Sequence, residues 1–165
     1  MTRKTKVVFG WVAFIIIADQ LTKFIVDQTM PLHHSIPIIE NFFSLTYIRN
    51  TGAAFGIFAG SAAAFRLPFL IFFSVLAIGF IVIMLRRLAD KETGLITALA
   101  FILGGAIGNL IDRIAYGEVI DFLDFYWSGY HWPAFNLADS FITVGVLITI
   151  YYLMKAKGED PFAAK

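Results

Sequence analysis

The chain has 165 residues, 59% of them hydrophobic and only 15% charged, with a mean hydropathy of +0.77. Soluble domains are usually about half apolar and a quarter charged, so this composition belongs to an integral membrane protein built as one compact bundle. A net charge of +1 gives no electrostatic support for a nucleic-acid role, and the absence of cysteine removes disulfides, thiol catalysis and zinc–thiolate sites together.

Met1–Lys6 carries Arg3, Lys4 and Lys6, and Val7–Val26 reads as the first span. A basic start before an apolar run also describes a cleavable signal peptide. No small-x-small cleavage site follows, and the run continues into Asp19-Gln20-Leu21-Thr22-Lys23, so a retained helix is expected. Asp27–Phe65 is a long connector. Asn41–Ile48 mixes aromatic and β-branched residues in partial alternation. Asn50-Thr51-Gly52 is a turn signal before Ala53–Phe58, and together these predict a small hairpin. Ala59–Phe65 is apolar but short, which predicts a segment lying on the membrane surface or leading into the next helix.

Leu67–Leu85 is uncharged between Arg66 and Arg86, close to the ~20 residues that cross a bilayer. After the charged turn Arg87–Thr93, Gly94–Ile111 is the third span, closed by Asp112-Arg113. The connector 117–136 is the most polar stretch and holds Glu118, Asp121 and Asp124. Asn136–Met154 is the fourth span, with Asp139 at its mouth, and the tail to Lys165 is polar. Four spans put both termini on one side. Nine basic residues fall on that side, against Lys23, Arg49, Arg66 and Arg113 at the other, so the termini are expected to be cytoplasmic. The acid-rich connector then faces outward, with Tyr126, Trp127, Tyr130 and Trp132 suited to the interfacial belt.

A carboxylate at the mouth of a membrane helix is costly unless paired or protonated, which makes Asp139 a candidate functional residue. Asp121, on the connector leading to it, is a candidate partner. Two close carboxylates share a proton. The ionised one takes a proton from water and the protonated one donates to a scissile carbonyl, which is peptide hydrolysis without a metal. The plainer account makes Asp121 a solvated loop acid and Asp139 a helix-start acid favoured by the macrodipole. On spacing alone, Glu118 and Asp124 are equally available as partners. Asp19 and Lys23 stand i, i+4 and can pair within their helix, chiefly a way to tolerate both charges. Gly104 and Gly108 form a small-xxx-small step for close helix packing. Asn109 and Arg113 share a face, and Arg113 can neutralise an acid or hold a lipid phosphate. Arg49–Phe55 reads as a turn or as a substrate-facing loop. Asn136 can cap the fourth helix or hold a catalytic carboxylate. His33, His34 and His131 are too scattered for a zinc protease, and neither HExxH nor GxSxG is present.

Five segments occur together and in order: Asp19–Lys23, Arg49–Gly56, Gly104–Arg113, Gly117–Phe122 and Phe135–Ser140. As a set they resemble the lipoprotein signal peptidase (signal peptidase II) family of bacterial membrane aspartic proteases. The resemblance covers nearly the whole chain. It implies an all-α membrane protein of four transmembrane helices, with a small periplasmic β-cradle and an interfacial segment, forming a single membrane-embedded domain. It implies that Asp121 and Asp139 are catalytic, demoting Glu118 and Asp124. Supporting or substrate-contacting roles are implied for Asp19, Lys23, Asn50, Gly52, Asn109, Arg113 and Asn136. The implied substrate is a diacylglyceryl-modified prolipoprotein cut before its lipidated cysteine, with no cofactor or metal. A monomer in the inner membrane is implied, with its site near the periplasmic face and globomycin-type peptides as inhibitors. Leu123–Ala134 matches no motif of the family. The competing class is a small proton- or ion-coupled transporter, disfavoured by a second span without any charge. A purely structural subunit is a further alternative, under which Asp121 and Asp139 would tolerate Asn.

Overall fold

The computed structural model describes residues 1–52, 63–156 and 162. Four helices among them are long and apolar enough to cross a membrane: α1 (Arg3–Thr29), α2 (Ala63–Arg87), α3 (Thr93–Tyr116) and α4 (Leu137–Lys155). The shortest, α4, has 19 residues, which at 1.5 Å each is about 28 Å, near the thickness of a hydrocarbon core.

Helix ends follow local chemistry. The side chain of Thr2 accepts the Thr5 N–H at the start of α1. That helix stops at Met30, where Pro31 disfavours helical backbone in the preceding residue. The third span was expected to close at Asp112-Arg113, but α3 continues to Tyr116. Charged residues do not break a helix. It ends where Gly117 adopts a left-handed backbone (φ 77°) and returns its N–H to the Arg113 carbonyl. The second helix begins earlier than expected, so Ala63–Phe65 form its first turn. The rest of the expected interfacial segment, 59–62, lies outside the described residues, as does Ala53–Phe58.

The helices alternate in direction. Lys4, at the start of α1, donates to the Leu88 carbonyl just past the end of α2, at 2.7 Å. Helix α3 packs against the other three and is the most buried. A stripe of glycine makes this possible. A Cβ at Gly104 would meet Ile15 of α1 at 3.0 Å. One at Gly105 would press on the Ala138 carbonyl oxygen and lie 2.7 Å from Ile142, both of α4. Gly105→Ala is therefore expected to cost about 1–3 kcal/mol, because a backbone carbonyl cannot step aside. Gly79→Ala is the control, since nothing lies within 4 Å of a Cβ there. Thermal unfolding in one detergent checks both, and equal midpoints would remove the close-packing account.

Four antiparallel strands sit at one end of the bundle in the order β1 (Ser35–Ile39), β2 (Phe43–Asn50), β3 (Val119–Trp127) and β4 (Tyr130–His131). The strand expected over Asn41–Ile48 is β2, and the hairpin expected through Asn50-Thr51-Gly52 has its far arm, Ala53–Phe58, outside the described residues. The first described hairpin turns at Glu40-Asn41-Phe42, with Asn41 left-handed (φ 61°), and joins β1 to β2. The second hairpin turns at Ser128-Gly129, both at positive φ as a two-residue type I′ turn requires. Strand β2 pairs with β3, which sets Asn50 opposite Val119 and Ile48 opposite Asp121. Val26, Met30, Tyr47, Ile120 and Phe122 form a buried apolar cluster that seats this sheet on the end of α1. Burying an aliphatic or Phe side chain of this kind is worth roughly 1.5–3 kcal/mol.

Candidate active site

The site forms where β3, α3 and α4 meet under the last residue of β2. Asp121 lies on β3 and is buried; Asp139 is the third residue of α4 and is half-buried. Asn136 joins them. Its Oδ1 accepts the Asp139 N–H at 2.9 Å, and the Asp139 carboxylate accepts the Asn136 N–H at 3.3 Å, a reciprocal capping box. Because the oxygen of that amide is committed to a backbone donor, its nitrogen must point the other way. Nδ2 donates to Asp121 Oδ1 at 2.7 Å. Capping the helix and holding a carboxylate, posed as alternatives from sequence, are done by the same side chain.

Two more asparagines are oriented by the same logic. Asn109 Oδ1 accepts from Lys23 Nζ at 2.9 Å, and an ammonium can only donate. Asn109 Nδ2 is thereby turned to Asp139 Oδ1, at 2.7 Å. Asn50 Oδ1 accepts the Gly52 N–H at 2.9 Å, so Asn50 Nδ2 faces Asp121 Oδ2, also at 2.9 Å. Both oxygens of each aspartate thus accept a hydrogen bond, three from side-chain amides whose donor role is settled by the bond to their oxygen and the fourth from the Asn136 backbone N–H. Burial, and then the Asp139 carboxylate, push Asp121 up to about 7, against the hydrogen bonds from Asn50 and Asn136 and the charge of Lys23.

Behind the asparagines lies a buried charge cluster. Lys23 Nζ is 2.8 Å from Asp19 Oδ2, the expected i, i+4 pair, and 2.9 Å from Asp112 Oδ2. Asp112 had no assigned role. It also accepts Gln20 Nε2 at 2.8 Å and the Ile120 N–H at 3.2 Å, next to Asp121. Asp19 Oδ1 accepts the Ala138 N–H at 2.9 Å, next to Asp139. Arg113 donates weakly to the carbonyls of Asn109 (3.3 Å) and Gly52 (3.5 Å). Its Nε is buried without a hydrogen-bond partner among the described residues.

The other two acids of the connector are engaged elsewhere. Glu118 lies 3.5 Å from Arg49. Asp124 accepts from His131 Nδ1 at 2.9 Å and from Thr46 at 3.1 Å. Asp124 is three residues beyond Asp121 on the same strand, which turns it to the opposite face of the sheet. Strand β3 was not expected from sequence, and its period separates acids that spacing left equivalent.

Asp121 and Asp139 open onto a cavity of about 510 Å³. Asn50, Asn109 and Arg113 complete its polar end, while Trp132–Phe135 and Ile142–Val144 line the rest. The apolar wall runs down α4, where a bilayer would lie.

The family model described as signal peptidase (SPase) II matches residues 11–155. A lipoprotein signal peptidase of Geobacter sulfurreducens is 54% identical over 133 residues, covering 81% of this chain and 82% of that protein. One of Desulforapulum autotrophicum is 49% identical over 150 residues, covering 90% and 93%. A structure described as a bacterial membrane enzyme, solved by the in meso method at 2.3 Å resolution, superposes with a TM-score of 0.82 at 34% identity. It covers 92% of this chain and 89% of its own.

Proposed function

The chain belongs to the signal peptidase II family, a multi-pass membrane hydrolase that removes signal peptides from prolipoproteins, and we propose that Asp121 and Asp139 make the cut as a pair sharing one proton. The observation that carries this reading is Asn136, hydrogen-bonded to both carboxylates at the polar end of a cavity with an apolar wall. The ionised member takes a proton from water, whose oxygen adds to the scissile carbonyl carbon. The protonated member donates to the carbonyl oxygen. When the tetrahedral gem-diol collapses, the member protonated by water gives its proton to the leaving amine and the C–N bond breaks, while the other member takes back a hydroxyl proton as C=O re-forms, which returns the pair to its single-proton state. Nothing in this cycle needs a covalent enzyme intermediate. Arg113, whose charge acts on Asp139, Asp121 and Asp112, helps hold the negative charge of the pair.

The substrate proposed is a prolipoprotein whose cysteine already bears diacylglycerol. Its signal helix and acyl chains belong in the bilayer, so they reach the pair along the apolar wall formed by α4. The excess of basic residues at the ends of the chain supports cytoplasmic termini, an inner-membrane location and a site near the periplasmic face. Exposed Trp127, Tyr130 and Trp132 fit the headgroup level there. A monomer is sufficient, since every group invoked comes from one chain, and a globomycin-type peptide is expected to compete for the same cavity.

The test is cleavage of a diacylglyceryl-modified prolipoprotein by the purified protein in nanodiscs. No cleavage beside an active control enzyme would reopen the transporter reading. The pair also predicts a pH dependence. Asp121 is raised to about 7, so below that pH the pair keeps its proton, and above it both members ionise. The ratio kcat/KM is expected to fall as pH rises through about 7, and a flat profile to pH 9 would count against a shared proton.

A further inference from the structure

We propose that Arg49 is a positioning residue for the cut: it locks the end of β2 onto the ends of α1 and α3, so that the next residue, Asn50, presents its amide to Asp121. The proposal rests on the reading of Asp121 as catalytic. Arg49 Nη2 is 2.6 Å from Asp27 near the end of α1, and Nε is 2.6 Å from the Tyr47 hydroxyl, which itself donates to Asp27. Nη1 is 3.5 Å from Glu118, between α3 and β3. The guanidinium lies 5.2 Å from the ring centre of Tyr116, the last residue of α3, and 5.5 Å from that of Tyr47. A planar fork can serve these partners together, whereas the point charge of lysine cannot.

Asn50 depends on this anchor because it ends its strand. Among the described residues, its side chain makes only the bond it gives to Asp121 and the one it accepts from Gly52, and its backbone stands opposite Val119 at the end of the ladder. Stability depends on the anchor far less. The sheet is already seated by its apolar cluster, and the Arg49 pairs, with side chains 21–28% exposed, are of the partly solvated kind that adds little. Losing Arg49 is therefore expected to loosen Asn50 rather than unfold the protein. The charged groups facing Asp121 are Asp139, Lys23 and Arg113, and Arg49 acts on it only through Asn50.

The experiment compares Arg49→Gln, Arg49→Lys, Asn50→Ala, the Arg49→Gln/Asn50→Ala double variant and Asp121→Asn in nanodiscs. Turnover is read against pH and thermal unfolding beside it. Arg49→Gln is expected to lower kcat about 10- to 100-fold, the scale of a misplaced group, with KM nearly unchanged. The fall in activity near pH 7 should move to higher pH, as in Asn50→Ala, because a hydrogen bond to the ionised carboxylate is lost. Arg49→Lys should not restore the rate, and the double variant should be no worse than Asn50→Ala alone. Wild-type turnover in Arg49→Gln would overturn the proposal. So would losses that multiply in the double variant, or a lowered unfolding temperature with an unmoved pH profile. Turnover by Asp121→Asn would sink the catalytic reading and this inference with it. A silent Asp121→Asn beside a fully active Arg49→Gln would sink the inference alone.

Discussion

Folded Asp121→Asn and Asp139→Asn variants are each expected to lose about 10²- to 10⁴-fold in kcat, the usual contribution of a positioned acid or base. Neither Asn can ionise, so neither variant can hold one proton between two carboxylates. Both substitutions also disturb hydrogen bonding in a foreseeable way. Asp121 accepts from Asn136 on one oxygen and from Asn50 on the other. Asp139 accepts from Asn109 on one and from the Asn136 N–H on the other. An amide has a single oxygen, so in each variant one donor would face another donor. Some loss of thermal stability is expected alongside the loss of rate, and unfolding must be followed for each. Asp124→Asn is the control, because Asp124 serves His131 and Thr46 on the other face of the sheet. It should keep its rate within a few-fold. Near wild-type turnover by folded Asp121→Asn or Asp139→Asn would take that residue out of the mechanism.

What the sequence reveals of this site depends on how local each interaction is. The spans are legible because a run such as Leu67–Leu85 meets the length and polarity demanded by lipid without reference to anything else. The Asp19–Lys23 pair is legible because i, i+4 is fixed within one helix. Asp112, the third member of that cluster, is not legible, because it is 89 positions from Lys23 and only the packing of α1 on α3 joins them. Strand β3 has a local signal: Val119, Ile120, Phe122, Phe125, Tyr126 and Trp127 are strand formers, and the acids among them mask it as a polar connector. A strand's period of two separates Asp121 from Asp124 by face. Asn50-Thr51-Gly52 shows its turn composition in the sequence, but Asn50 is held by Asp121 across the sheet, a partner no local pattern names. The amide orientations are the least legible feature. Each is set by an outer partner from Lys23, the Gly52 N–H or the Asp139 N–H, and two of these three chains of contact cross between elements far apart in sequence.

Lys23→Met is expected to be the most destabilising single change at the site, at about 3–5 kcal/mol, the cost of stranding buried charge. Lys23 is 2% exposed, Asp19 0% and Asp112 1%, so neither carboxylate can turn to water when the ammonium is gone. Thermal unfolding in a single detergent should show the loss directly. A midpoint equal to wild type would mean that the carboxylates are not held as ions by Lys23. Activity should fall for a second reason. Without the ammonium, Asn109 Oδ1 keeps, among the described residues, only the Asn136 Nδ2 donor, at 3.0 Å, so the amide that faces Asp139 is held less firmly. Combining Lys23→Met with Asp19→Asn and Asp112→Asn separates the two effects. Neutralising all three groups removes the stranded charges, so most of the stability should return. Turnover should stay low, because Asn109 still lacks its ammonium. If turnover returned together with stability, Lys23 would be a structural charge alone, and the orientation of Asn109 would owe nothing to it.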